Sequence, residues 1–261
     1  MDRREAVLRE LNIYPLWKRR EQSVPAKAQE PIAGHLTESI TPIVAEAVHK
    51  EEAGVLRKPG FGKSGKSESE WSNLNWPELK QQVTSCIACK LRAGCTQTVF
   101  GVGDEKADWL FVGEGPGADE DVHGEPFVGQ AGKLLDSMLA AVKLKRGQNV
   151  YIANIVKCRP PNNRTPAADE IAQCLPYLQR QIELLRPKLI VALGKVASNA
   201  LLGQEATLAS LRSAQHDYHG IPLIVTYHPA YLLRSPTEKA KAWQDLCFAV
   251  NVMAQATDKN A

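Results

Sequence analysis

The chain has 261 residues, is 44% hydrophobic and carries a formal charge of +3 at neutral pH, which suits one α/β domain plus an extension. No repeat suggests a solenoid or propeller, no apolar run is long enough for a bilayer, and Met1-Asp2-Arg3-Arg4-Glu5 lacks the apolar stretch of a signal peptide, so a cytoplasmic protein with no membrane association is expected. A pI of about 8.5 is compatible with nucleic acid but does not indicate it, and six cysteines in such a chain point to metal or reduced thiols rather than disulfides.

Residues 1–20 form a first segment. Arg4 to Leu11 has a short helical pattern, and Lys18-Arg19-Arg20 follows as a solvated end or as an element that docks a protein partner or touches DNA. Residues 21–75 are rich in Pro, Ala, Glu, Gly, Ser and Lys without periodicity and read as a flexible linker. Within it, residues 60–67 match a phosphate-loop pattern. They lack the preceding strand and following helix that would aim backbone N–H groups at a phosphate, so a basic spacer is the better reading.

From residue 76 to 261 the pattern is that of one domain. Pro77 suits the first turn of a helix. Strands are expected at Asp108 to Val112, Val150 to Val156, Lys188 to Leu193 and Leu223 to Tyr227. Helices are expected at Gly132 to Val142, Ala167 to Leu185, Lys195 to Leu202 and Thr237 to Ala254. Apolar strands alternating with amphipathic helices imply βαβ crossovers and a mostly parallel four-stranded sheet covered on both faces, with ligands at the carboxyl ends of its strands.

Cys86 and Cys89 form a C-x2-C turn, and Cys158 and Cys174 follow at C-x15-C spacing. Four thiolates suit an iron-sulfur cluster or structural zinc. With only one C-x2-C knuckle, the spacing favours the cluster over a zinc ribbon. Cys95 is a rival ligand by proximity, and Cys247 reads as a small apolar residue on a helix. After the first strand, Gly113-x-Gly115-x-x-Ala118 mimics a dinucleotide fingerprint. No helix is expected to start there, and the run Asp119-Glu120-Asp121 would repel a pyrophosphate. The bland reading of that run is a solvated loop, and it is the preferred one for Asp121.

Taken together, the loop from Gly113 to Gly132, the segment Asn154 to Arg164, the segment His228 to Arg234 and the four cysteines resemble the family 4, iron-sulfur uracil-DNA glycosylases of bacterial type. The resemblance covers about residues 80–255. It implies a three-layer α/β/α sandwich, a 4Fe-4S cluster on Cys86, Cys89, Cys158 and Cys174 with a structural role, and uracil-containing DNA as substrate for a monomeric enzyme of base-excision repair.

In that likeness Phe127 stacks on a flipped-out uracil. The amide of Asn154 pairs with N3–H and O4, a pattern that cytosine inverts. His228 donates to O2 as charge builds there. Gly115, Pro116 and Gly117 bring the backbone close to the base, and Glu120 fills the space beside C5 that a thymine methyl would need. Glu114 and Asn163 are the candidates for orienting water. Leu232, Leu233 and Arg234 would wedge into the duplex, and Lys157, Arg159, Arg164 and Arg234 are candidate phosphate contacts. A superfamily branch that traps uracil-DNA covalently uses a His on a basic insertion after the second strand. Residues 159–166 contain neither, so turnover is expected. The rival readings are a noncatalytic iron-sulfur DNA-binding module of repair or replication, with residues 1–75 recruiting a protein partner, and a zinc-stabilised nucleotide hydrolase. The second would need a metal-activating His/carboxylate set that the motifs lack.

Overall fold

A computed structural model describes Glu10, helical and exposed, and residues 73–258. The rest of the N-terminal helix expectation, nearly all of the linker and the phosphate-loop match lie outside the described residues.

Helix α1 (Trp76–Thr84) begins at a capping box. Asn75 Oδ1 accepts from the Glu78 N–H, the Glu78 carboxylate accepts from the Asn75 N–H, and Pro77 occupies the first turn. The short α2 (Leu91–Gly94) follows the C-x2-C turn. Strands β1 (Val102–Gly103) and β2 (Trp109–Gly113) lead to helices α3 (Ala118–His123) and α4 (Gln130–Ala141). Then come β3 (Val150–Asn154), a 3-10 turn at Pro161–Asn163, α5 (Ala168–Leu185), β4 (Leu189–Leu193), α6 (Lys195–Leu202) and α7 (Leu208–Leu211). The chain closes with β5 (Gln215–Tyr218), β6 (Ile221–Thr226), α8 (Pro229–Arg234), a second 3-10 turn and α9 (Lys239–Asp258).

The sheet runs β1-β3-β2-β4-β6-β5. The four expected strands are its parallel centre, β3-β2-β4-β6. Two short antiparallel strands, β1 and β5, extend the edges. The sequence gives no sign of them: β1 has two residues, and β5 is Gln-His-Asp-Tyr, polar because one side of an edge strand faces water.

The central strands read as unbroken apolar runs because both faces are buried. In β2, Leu110 and Val112 join a core with α1, α5 and α6, while Trp109 and Phe111 join the opposite core with α4 and α9. These are the three layers. From β2 the chain passes to β3 on one side, then crosses to β4 on the other, so the sheet has its switch point beside β2. The loops after β2, β3 and β6 therefore open at one end of the sheet.

One expectation is overturned here. A helix does start at Ala118, and it lasts only six residues. Its acidic first turn suits the helix dipole. Glu120 accepts hydrogen bonds from the N–H groups of Gly117, Val128 and Gly129, so a carboxylate occupies the donors that a pyrophosphate would need.

Candidate active site

Asn154 is the last residue of β3 and is 2% exposed. Its Oδ1 is the one fully buried side-chain N or O atom among the described residues with no hydrogen-bond partner. Such an orphan costs on the order of 1–3 kcal/mol unless an ordered water or a bound ligand completes the bond. Opposite, in register, stands Gly113 at the end of β2. A Cβ there would lie 2.5 Å from Asn154 Oδ1 and 2.6 Å from the Phe127 ring, so only glycine lets both close over the strand end.

Phe127 is 6% exposed and has a φ of 57°, unusual for an aromatic residue. The strained turn is held from outside. Arg146 donates to the carbonyls of Pro126 and Phe127, at 2.8 Å each, and is anchored by Asp136. Glu120 grips the next two N–H groups, of Val128 and Gly129. The Phe127 ring then lies 5.5 Å from that of His228, at 31°.

His228 caps α8. Its Nδ1 accepts the Ala230 N–H at 3.1 Å, so the neutral ring carries its proton on Nε2. Burial, assisted by the positive charge of Arg234 and opposed by Glu120, pushes its pKa down to about 4, so the ring is neutral at pH 7. A neutral imidazole with a fixed tautomer can donate one hydrogen bond to an oxygen that gains charge. Behind it, Asp245 accepts from Arg212 Nε (2.7 Å), Arg212 Nη2 (2.9 Å) and the Thr226 hydroxyl (2.8 Å). Arg212 lies 4.4 Å over the Tyr227 ring, which stacks on Tyr231. This buried knot fixes β6, α9 and the start of the His228 segment.

Other expected residues are placed differently. Glu114 is half-buried beside Thr165, and burial raises its carboxyl pKa. Asn163 is exposed, and its Oδ1 already accepts from Arg159 Nε at 2.8 Å. Gly115 packs against Val156, where a Cβ would come within 2.7 Å of a methyl, and Pro116 is buried beside it. Gly117 does not offer its amide to a base, because Glu120 has taken it, and the same three bonds make Glu120 a loop clamp. Asp121 is no solvated loop residue: it is 4% exposed and accepts from Thr96 N, Thr96 Oγ1 and Gln97 N.

On α8, Leu232 is 1% exposed and part of the core, so it is not available as a wedge. Its neighbours Tyr231 and Leu233 are 38% and 44% exposed, and Arg234 is exposed as well. The helical period turns Pro229 and Leu232, three apart, inward and leaves Tyr231, Leu233 and Arg234 outside. Arg164 is committed to a bidentate pair with Glu170 at 2.6 and 2.8 Å. Lys157 is buried and cannot meet a phosphate. Arg146, Asp245 and Gln181 went unread because their partners lie ten or more residues away and no local pattern marks them.

Cys86, Cys89, Cys158 and Cys174 line one cavity beneath Tyr177 and the backbone of Lys157; Cys95 is not among its lining. The sulfur of Cys174 accepts the Lys157 N–H at 3.2 Å, and burial pushes its thiol up to about 12; the Cys158 thiol rises for the same reason and through neighbouring thiols, Cys95 included. Cys95 is held by Arg92, Nη1 to Sγ at 3.7 Å. Cys247 sits half-buried on α9, in line with its reading as a packing residue. No group of three or more His, Cys, Asp or Glu among the described residues converges closely enough for a single ion. Four thiols lining one cavity are a donor set that an iron-sulfur cluster or a structural zinc could take.

Residues 100–247 match the family model of the uracil DNA glycosylase superfamily. A type-4 uracil-DNA glycosylase of Archaeoglobus fulgidus is 43% identical over 167 residues, spanning 61% of this chain and 83% of that protein. Those of Thermotoga maritima and Pyrobaculum aerophilum are 42% and 41% identical, over 62% and 66% of this chain and 85% and 92% of theirs. With matches that span most of each relative, and a family model that covers the strand ends where Asn154, Phe127 and His228 meet, the chain belongs to the type-4 family of the uracil-DNA glycosylase superfamily.

Proposed function

We propose that the protein is a hydrolase that cleaves the N-glycosidic bond of deoxyuridine in DNA, releasing uracil and leaving an abasic site for base-excision repair. The observation that carries this reading is the buried, unpartnered Oδ1 of Asn154 beside the Phe127 ring. Uracil offers an N3–H to that oxygen and an O4 to the amide NH2. Cytosine offers neither and would leave both groups stranded. Phe127 stacks on the base, and the closed turn around it excludes water.

As the bond breaks, negative charge gathers on uracil O2 and positive charge on the sugar. His228 meets the first through Nε2–H, a donor held in place before the reaction, so little reorganisation is needed. Being neutral, it stabilises the leaving uracil anion without competing for protonation. Glu114, half-buried at the end of β2, is better placed than exposed Asn163 to face the sugar cation and the water that attacks it. The exposed Tyr231, Leu233 and Arg234 would meet the duplex beside the flipped base.

Cys86, Cys89, Cys158 and Cys174 would hold the 4Fe-4S cluster, which supplies a structural cross-link when bound. Through Cys158 and Cys174 these thiols bind the loop after β3 to α5 and so support Asn154. No helix of the described residues is long and apolar enough to cross a membrane, and six free thiols suit a reducing compartment. The reading is of a cytoplasmic monomer, with a domain from residue 76 to 261 and residues 1–75 left to recruit a protein partner. A noncatalytic DNA-binding module would have no use for a pre-aimed donor at the base.

The test is cleavage of a uracil-containing oligonucleotide followed by alkali, with anaerobically purified protein beside His228→Ala and Asn154→Asp. Strand breaks at uracil that fade in both variants support the reading. An intact oligonucleotide with iron-loaded protein refutes it.

A further inference from the structure

Lys157 carries an ammonium group and is 1% exposed, yet it forms no ion pair with a carboxylate among the described residues. Its Nζ donates to the Asn154 carbonyl at 2.9 Å and to Gln181 Oε1 at 2.6 Å. Gln181, 0% exposed, donates in turn to the Phe100 carbonyl at 3.0 Å and to the Tyr151 hydroxyl at 3.4 Å. Gln181 and Cys174 are two turns apart on one face of α5. Lys157 touches both, its N–H on the Cys174 sulfur and its ammonium on Gln181. Burying a cation is costly, and an apolar side chain of similar volume would pack there without that cost.

Asn154 shows what the cation does. Its Oδ1 has no protein partner to hold the amide the right way round. A turned amide would present NH2 where the oxygen belongs and exchange the uracil pattern for that of cytosine. What the main chain does set is the depth and plane at which the amide meets a base, and the Asn154 carbonyl is where Lys157 holds it.

We propose that Lys157 is a positioning residue for base selectivity, fixing the depth and plane of the Asn154 amide by tying the Asn154 carbonyl to Gln181 on the cysteine-bearing helix. The inference rests on Asn154 being the base reader. It extends that reading by naming what holds the reader in place.

The experiment uses the full chain with Lys157→Met and with the double variant Lys157→Met/Gln181→Met, which leaves neither of these two side chains facing a lost partner, although the Asn154 and Phe100 carbonyls and the Tyr151 hydroxyl each lose a donor. Iron per chain, thermal midpoint and single-turnover cleavage of uracil- and cytosine-containing oligonucleotides are measured, with Asn154→Ala alongside. The double variant is expected to keep its iron and to melt below the parent while remaining folded at the assay temperature. Its rate on uracil per iron-loaded chain should fall about 10²-fold, the scale of a misplaced contact, and the uracil-to-cytosine preference should narrow. A double variant with parental rate and preference per iron-loaded chain, while Asn154→Ala is inactive, overturns the role of Lys157 and leaves Asn154 standing. An Asn154→Ala variant with parental rate and preference overturns both.

Discussion

Two buried polar side chains, Asp245 and Asn154, lie at opposite extremes of hydrogen-bond satisfaction. Asp245 between β6 and α9 accepts three hydrogen bonds and pairs with an arginine. Asn154 at the end of β3 keeps an oxygen with none. Both are 2% exposed, so burial alone does not separate structure from function. Satisfaction does separate them: a saturated group holds the fold together, and on the reading proposed above the orphaned oxygen of Asn154 is the one kept for the base.

The comparison breaks most visibly at Asp245. Asp245→Ala strands the Arg212 guanidinium, whose side chain is 9% exposed, and should cost about 3–5 kcal/mol in a denaturant titration, the usual scale for half of a buried pair. Asn154→Ala should cost far less stability, since it removes an unpaired oxygen. An equal loss in both variants would sink the distinction.

Activity should show the reverse. His228→Ala is expected to lower single-turnover cleavage by about 10²–10³, the scale of one lost donor to a developing oxyanion. A smaller step comes from the strained aromatic. Phe127→Ala should weaken uracil-DNA binding by about 1–3 kcal/mol, read as a raised Kd by fluorescence anisotropy.

The pH dependence sharpens the picture further. The His228 pKa lies near 4 in the folded chain, below the ordinary 6.5. Between those values the unfolded chain binds a proton that the folded one refuses. The stability contributed by neutral His228 is therefore full above about 6.5 and lost as pH falls towards 4. The His228 share of the pH-rate profile, read as the difference between parent and His228→Ala, should stay flat through pH 6.5 and fall only near 4, apart from any limb due to Glu114, whose carboxyl pKa burial raises. Arg234→Ala removes a charge that helps hold the His228 value down, so that limb should shift slightly upward. A limb at 6.5 that His228→Ala abolishes would mean that His228 is solvated.

Much of this was legible in the sequence. The four apolar runs from Asp108 to Tyr227 became the parallel strands, because a strand buried on both faces must be apolar throughout. The α6 helix matches its expected limits, and the four cysteines of the spacing pattern line one cavity. Asn154, Phe127 and His228 meet because each lies at or beyond the end of a central strand, on the side where the loops open. Less legible were residues whose role depends on a distant partner. Asp121 looked like one of three loop acids, and Thr96 buries it. Arg164 looked like a phosphate contact, and Glu170 claims it.

Periodicity by itself determined the four central strands and their parallel pairing, since a strand buried on both faces must be apolar throughout, whereas the residues expected to do chemistry came from the likeness to a known family. The tertiary structure alone decided which polar groups are spent and which are left open. Whether a carboxylate clamps a loop, as Glu120 does, or a lysine reaches an amide carbonyl instead of a phosphate, as Lys157 does, depends on atoms brought together across the chain. Hydrogen-bond energies act over about 3 Å, and no sequence pattern records that distance.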